Sequence, residues 1–553
     1  MNMKRTFLLI VAFMTLTLSK AQNNLDECLA KPKLVVGLMV DQMRWDYLTR
    51  YADLYTEGGF KRLMREGYNC NRTFINYIPA ITAVGHSSVY TGSVPAITGI
   101  VGNDFVLNGE RVYCTTDKSV SGVGTLDKEG NPNPDVWAGQ NSPRNLLVTT
   151  IGDQLRLATN FRSKVIGVAL KDRASIFPAG HSANAAYWMD GYSMNFITST
   201  YYMKKLPKWV TEFNNRHLGE QYLQNLAAHN PDIKDGPWKL LLDESKYVQS
   251  APRNQKWEAD LDGSIKMSPW GQTITIDMAM AAVEGENLGN NPENVTDLLA
   301  VSISSTDLIG HRLSPNSIWM QDTYLRLDRE IERFLNFLDE KVGKGQYVLF
   351  LTADHGGSHN VQFRKEHSLP ADVWTPSVLK EDLDNCLKKQ FPQFSKFVEH
   401  IINQQVFFTK KVKESGQLEE VKTAAAKFLS GLDQVAYAFP MEAIPDYVPE
   451  PIRTMAINGY NKERCGDILM VVESRMVEES VSKEEFRKAG HIHRGTTHSI
   501  WNPDDTHIPL IFMGWHVTPA WDNKPHHIVD IAPTIATLLN IQEPSGCVGK
   551  SIF

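Results

Sequence analysis

Five near-continuous apolar runs of strand length, at residues 34–40, 165–170, 298–303, 347–351 and 509–513, constrain this chain more than any other feature. A strand that is apolar at successive positions, not at alternate ones, has to be covered on both faces. That is the situation of parallel strands sandwiched by helices. Between the third and fourth runs, Tyr324, Leu327, Ile331, Phe334 or Leu335, and Leu338 recur at helical spacing with charges on the other side, which predicts an amphipathic crossover helix over 318–338. A final helix is expected over 531–539, after Asp530. The fold class is therefore α/β, a doubly wound, mostly parallel sheet sandwiched by helices.

At 553 residues the chain is too long for one compact unit, so this core is expected to carry insertions. Residues 184–294 are rich in Trp, Tyr, Asn and Lys and lack strong strand runs, and residues 357–494 separate the fourth run from the fifth. Both are read as cap segments inserted over the site, within one catalytic domain spanning 22–553. In the second, 420–431 is helical by composition. Residues 1–21 have a basic tip (Lys4, Arg5), an apolar run and then Ser19-Lys20-Ala21, the pattern of a secretory signal peptide cleaved before Gln22. That run is shorter than the roughly 20 apolar residues that cross a bilayer, and no later stretch approaches this length. The mature protein is expected in the periplasm or secreted, without a membrane span, and as a monomer. With 57 Lys+Arg against 63 Asp+Glu, the formal charge of -6 gives no field for nucleic acid. Six cysteines without a CxxC pair disfavour a cysteine-based zinc site, while export permits disulfides whose pairing the sequence does not choose.

Ligands of open α/β sheets bind beyond the carboxyl ends of the strands, so the polar residues that follow the apolar runs matter most. Asp41 ends the first run. Lys171 and Arg173 follow the second, set at i and i+2 so that an extended segment would project both cations to one side. Asp307 and His311 follow the third at i,i+4 spacing, Asp354 and His355 follow the fourth, and His498 precedes the fifth. His491 and His493 compete with His498 as the last donor. A single Asp at a strand end is as often a cap, but carboxylates and imidazoles gathered after three separate strands suit zinc or a similar divalent ion. Thr82 lies in Pro79-Ala-Ile-Thr82-Ala-Val-Gly-His86, where only His86 is close enough in sequence to serve as its base.

Together these blocks, with Val36-Gly-Leu-Met-Val-Asp41-Gln-Met-Arg, Asp307-Leu-Ile-Gly-His311, Thr352-Ala-Asp354-His355-Gly and Gly495-Thr-Thr-His498, resemble the alkaline phosphatase superfamily. They are most similar to its phosphate-irrepressible bacterial alkaline phosphatases, which are related to nucleotide pyrophosphatase/phosphodiesterases. The resemblance runs in order from about Lys33 to Pro544. It implies two zinc ions, one held by Asp307, His311 and His498, the other by Asp41, Asp354 and His355 with Thr82 as nucleophilic ligand. It further implies Asn103, in Gly102-Asn103-Asp104, as a donor to a phosphate oxygen, beside Lys171 and Arg173. The activity implied is hydrolysis of a broad range of phosphate monoesters through a phosphothreonine, with release of inorganic phosphate. A phosphodiesterase or nucleotide pyrophosphatase with the same metal site is the alternative. Sulfatases are disfavoured because no Cys-x-Pro-x-Arg occurs. The sequence departs from the family at Ser499, where glycine is more usual, and at Thr98 and Phe105.

Overall fold

The central strands in chain order are β1 (Leu34–Val40), β2 (Gly67–Phe74), β3 (Val165–Ala169), β4 (Ala185–Met189), β5 (Phe196–Ser199), β6 (Asp297–Ile303), β7 (Tyr347–Thr352), β8 (Leu510–Gly514) and β9 (Ala520–His527). This computed structural model describes residues 31–229, 238–248, 264–479 and 495–553, with Val481, Ser482, Glu484 and Phe486 between the last two spans. The leader at 1–21, Cys28, His491 and His493 lie outside the described residues. Neighbours across the sheet run β2-β8-β7-β1-β6-β3-β4-β5, with β9 paired to β2 and the short strands His507–Ile508 and Gly122–Val123 at the two ends. The inner strands β7, β1, β6, β3 and β4 are mutually parallel. Each is wholly buried, as their unbroken apolar runs require.

Helices flank the sheet in two groups. α1 (Thr82–Thr91) and α2 (Asp172–Ala179) pack together, and α1 also meets α5 (Ile531–Leu539). α3 (Ser305–Leu313) and α4 (Ile318–Leu338) pack together and against the helix Pro269–Glu286. The predicted crossover helix and final helix have the bounds expected from their periodicity.

Two expectations need correction. The fifth run, at 509–513, was expected to be parallel, but β8 is antiparallel to β7. The chain leaves β7 at the sheet's carboxyl edge, travels through the cap and returns to that same edge at Gly495, so its next strand has to run backwards. Residues 184–294 were expected to lack strong strand runs and to form a cap, yet β4 is a buried parallel strand of the central sheet and β5 pairs with it antiparallel. Ala185-Ala-Tyr-Trp-Met189 is small and aromatic where the other runs are Val/Leu/Ile-rich, which hid it.

The segment 357–494 builds a second sheet in the order Val398–Ile402, Gln405–Phe408, Ile468–Val472, Val435–Pro440. Helices Pro376–Gln390 and Leu418–Leu429 cover it around a separate apolar core that includes Leu383, Val406, Val421 and Met470. The expected helix at 420–431 is thus present, shifted by two residues. Cys70, Cys114, Cys386, Cys465 and Cys547 are all unpaired.

Candidate active site

Four chemically reactive side chains emerge at the carboxyl ends of neighbouring strands: Asp354 after β7, Asp41 after β1, Asp307 after β6 and Lys171 after β3. Two groups of three potential ligands form there. In the first, Asp307 Oδ1 lies 3.1 Å from His311 Nε2 and 3.7 Å from His498 Nε2. In the second, His355 Nε2 lies 3.5 Å from Asp41 Oδ1 and 3.5 Å from Asp354 Oδ2. The rings of His355 and His498 stack with centroids 3.5 Å apart, so the two groups share a wall.

The histidines are oriented from behind. His311 Nδ1 meets Thr496 O at 2.9 Å, His355 Nδ1 meets Gly356 O at 2.8 Å and His498 Nδ1 meets Ala80 O at 2.8 Å. A carbonyl only accepts, so each Nδ1 carries a proton and each Nε2 is turned toward the carboxylates. This is how metal-ligating histidines are held. Asp354 is treated similarly, because its Oδ1 accepts the Gln42 and His355 backbone N–H groups while Oδ2 faces inward.

Whether this pocket fits a cation is decided by its unsatisfied atoms. Asp41 Oδ1, Asp354 Oδ2 and His355 Nε2 are buried without a hydrogen-bond partner, and they are the three atoms that converge in the second group. Three acceptors facing one another repel, and burial without compensation is costly. A divalent cation satisfies all three, and the mixed oxygen and nitrogen donors suit zinc-like ions. Lys171 also lies inside, with Nζ at 2.6 Å from both Asp41 Oδ2 and Asp307 Oδ2.

Titration follows this arrangement. Burial raises Asp41, and the nearby Asp354 charge adds to it. At Asp307 burial is outweighed by His311 and Lys171, which hold its carboxyl well below the usual range. Burial, then the neighbouring His355, pushes His498 well down, and burial also lowers His355. Burial thus favours the neutral form of both rings, the form that binds a metal.

Thr82 is buried and opens α1, following the extended Ile81. Two links tie this segment to both groups. Ala80 O receives His498, and at the next turn a Cβ placed on Gly85 would lie only 2.3 Å from Asp354 O, so α1 rests directly on the second group. Asn103 Oδ1 accepts the Ala83 N–H at 3.0 Å, which leaves its Nδ2 donors free of that bond at the helix N-terminus. His86 does not serve Thr82 as a base. Its ring nitrogens engage Thr82 O at 2.9 Å and Ser302 Oγ at 2.8 Å, with Asp354 Oδ2 3.2 Å away.

The cationic pair differs from its expected local structure. Lys171 precedes α2 and Arg173 lies in its first turn, so they do not share an extended segment. Asp172, favourable at a helix N-terminus, starts the helix at once. Arg173 Nη1 instead reaches Tyr113 Oη at 2.9 Å, and that hydroxyl donates to Asp172 Oδ1 at 2.5 Å. Sequence reasoning missed Tyr113 and Gln42, whose Nε2 donates to Asp307 Oδ1 at 2.6 Å. Gln42 was within reach as the residue after Asp41; Tyr113 carried no signal.

Comparison with known proteins gives matches over most of the chain. Residues 35–496 match the family model of type I phosphodiesterase / nucleotide pyrophosphatase. A Myroides odoratus protein named calcium-transporting ATPase is 47% identical over 551 residues, covering 95% of each chain. Alkaline phosphatase PafA of Elizabethkingia meningoseptica is 44% identical over 547 residues, covering 94% of each. The crystal structure of wild-type alkaline phosphatase PafA superposes with a TM-score of 0.85 at 43% identity, covering 95% of this chain and 98% of that one.

Proposed function

This chain belongs to the type I phosphodiesterase / nucleotide pyrophosphatase family, and we propose that within it the protein is a metal-dependent alkaline phosphatase that hydrolyses a broad range of phosphate monoesters through a phosphothreonine at Thr82. The observation that carries this reading is the convergence of three unsatisfied buried acceptors, Asp41 Oδ1, Asp354 Oδ2 and His355 Nε2, beside a second group of Asp307, His311 and His498, with Thr82 tied to both. Two divalent ions, zinc by donor type, would be held by these groups and would supply Lewis acidity toward the attacking and leaving oxygens.

The chain's own residues do the rest. Thr82 Oγ attacks phosphorus as the bond to the leaving oxygen breaks, giving a phosphothreonine and the free alcohol. Water then attacks that phosphorus, the Thr82 ester bond breaks and inorganic phosphate leaves. Asn103 Nδ2, the N-terminus of α1, Lys171 and Arg173 bind the non-bridging oxygens as charge gathers on them. Tyr113 and Asp172 hold the Arg173 guanidinium in place. This donor set favours a monoester dianion over a diester, in which one oxygen carries a bulky group.

The relative named calcium-transporting ATPase does not redirect the reading, because among the described residues no helix is long and apolar enough to cross a membrane. Export by the leader at 1–21 and action as a monomer belong to the same proposal. Acid quenching during turnover of an aryl phosphate should trap phosphate on the peptide containing Thr82. Elemental analysis should find about two zinc ions per chain. Label elsewhere, or full activity with one metal or none, would overturn the reading.

A further inference from the structure

Among the points where the cap meets the catalytic loops is the tip of the hairpin formed by Val398–Ile402 and Gln405–Phe408. Asn403 and Gln404 form its two-residue turn with φ of 54° and 60°, the left-handed pair that a tight hairpin demands. Asn403 tolerates that conformation readily; Gln404 does so at a cost. What the tip contacts gives the strain a use. Asn403 Nδ2 donates to Asp104 O at 2.7 Å, and a Cβ on Gly102 would lie 2.1 Å from the same atom. The Asn403 amide is thus wedged under the two residues that flank Asn103, and only glycine at 102 lets it in.

Gln404 is buried, and its Nε2 donates to Ser499 Oγ at 2.9 Å and Ser499 O at 3.2 Å, on the residue after His498. The adjoining cap loop braces the same region. Arg464 Nη1 donates to Gly99 O and Asn145 O, each at 2.6 Å, and its guanidinium sits 5.0 Å from the Phe105 ring centre. Gln405 Oε1 accepts the Gly466 N–H at 2.7 Å, tying the hairpin to the Arg464 loop.

We propose that the Asn403-Gln404 tip is a positioning element, inserted from the cap, that sets Asn103 for phosphoryl binding and His498 for metal binding. This rests on the roles proposed above for Asn103 and His498. Neither tip residue touches the reacting atoms; each acts through the backbone of a loop that does. The cap thereby controls catalysis through two side-chain amides.

The test is a double-mutant cycle in the full chain. Asn403→Gly keeps the turn, because glycine accepts φ of 54°, and removes only the wedge. It should lower kcat/KM for an aryl phosphate by about 10- to 100-fold, as a misplaced donor does. In the Asn103→Ala background the same change should cost less than about twofold, since a residue that acts only through Asn103 is silent without it. Asn403→Asp, isosteric but lacking the donor, repeats the measurement if the glycine variant fails to fold. Gln404→Glu should speed zinc loss to a chelator by about tenfold, read by elemental analysis, in keeping with the usual effect of residues behind a metal ligand. Additive losses in the cycle, with Asn103→Ala itself impaired, would overturn the positioning role and leave the functional reading intact. A neutral Asn103→Ala would instead overturn the role of Asn103 and this inference together.

Discussion

Replacing Lys171 with alanine separates the electrostatics of the pocket from its chemistry. Lys171 Nζ lies 2.6 Å from Asp41 Oδ2 and 2.6 Å from Asp307 Oδ2, and the three side chains are 7%, 0% and 4% exposed. Solvent cannot replace the ammonium at that depth. Removing one partner of a buried ion network costs about 3–5 kcal/mol, because the remaining charges stay buried and uncompensated. Unfolding entropy of about 2.1 cal/mol/K per residue over about 500 residues gives roughly 1 kcal/mol per degree, so the penalty corresponds to a melting shift of roughly 3–5 °C. Zinc held by the same carboxylates would compensate them independently of the lysine. Lys171→Ala should therefore lower the melting temperature of chelator-treated protein by about 3–5 °C and of zinc-saturated protein by less than about 1 °C. Differential scanning fluorimetry of the wild type and variant in both conditions reads the difference. Equal drops with and without zinc would refute the idea that the cations and Lys171 share these carboxylates.

A double Lys171→Ala/Arg173→Ala variant should lose orders of magnitude in kcat/KM on an aryl phosphate and little on a bis-aryl phosphate, because the lost contacts serve oxygens that a diester lacks; equal losses would mean that the pair only supports the fold. Asp505 is pushed up to about 8 by burial, against roughly 4 in the unfolded chain, so between those values the folded protein holds a proton that the unfolded one has released. Stability should consequently fall as pH rises from about 4 to about 8, and Asp505→Asn should flatten that slope in melting curves; an unchanged slope would contradict the assignment. Ser499 adopts φ of 101°, a region costly for any residue with a Cβ, while its Oγ accepts from Gln404, so Ser499→Gly should be about 1 kcal/mol more stable than Ser499→Ala, which loses the same bond but keeps the strain; an equal or lower melting temperature for the glycine variant would refute this.

Much of this site was legible because its residues follow apolar runs. Asp41, Asp307 and Asp354 sit where strands must end, and the sheet's parallel core brings those ends together irrespective of the intervening sequence. Ser499 stood out beforehand as a departure from glycine, and its positive φ supplies the physical reason that glycine is usual there. What escaped sequence reasoning depends on contacts between distant segments. Tyr113 orients Arg173 across 60 positions, and Asn403 reaches Asp104 across 299, so neither leaves a local pattern. The antiparallel β8 and the strand β4 escaped for different reasons, one set by where the cap returns the chain and the other masked by its alanine-rich composition.

The central claim is that Asn103, Lys171 and Arg173 shape a two-metal site for a terminal phosphoryl group. Its most direct test is the ratio of kcat/KM for an aryl phosphate to that for the corresponding bis-aryl phosphate, measured on one zinc-saturated preparation. The ratio should exceed unity by several powers of ten, since the contacts made only to the monoester's third oxygen are charge-assisted. A ratio near or below one would contradict the account and make the protein a phosphodiesterase.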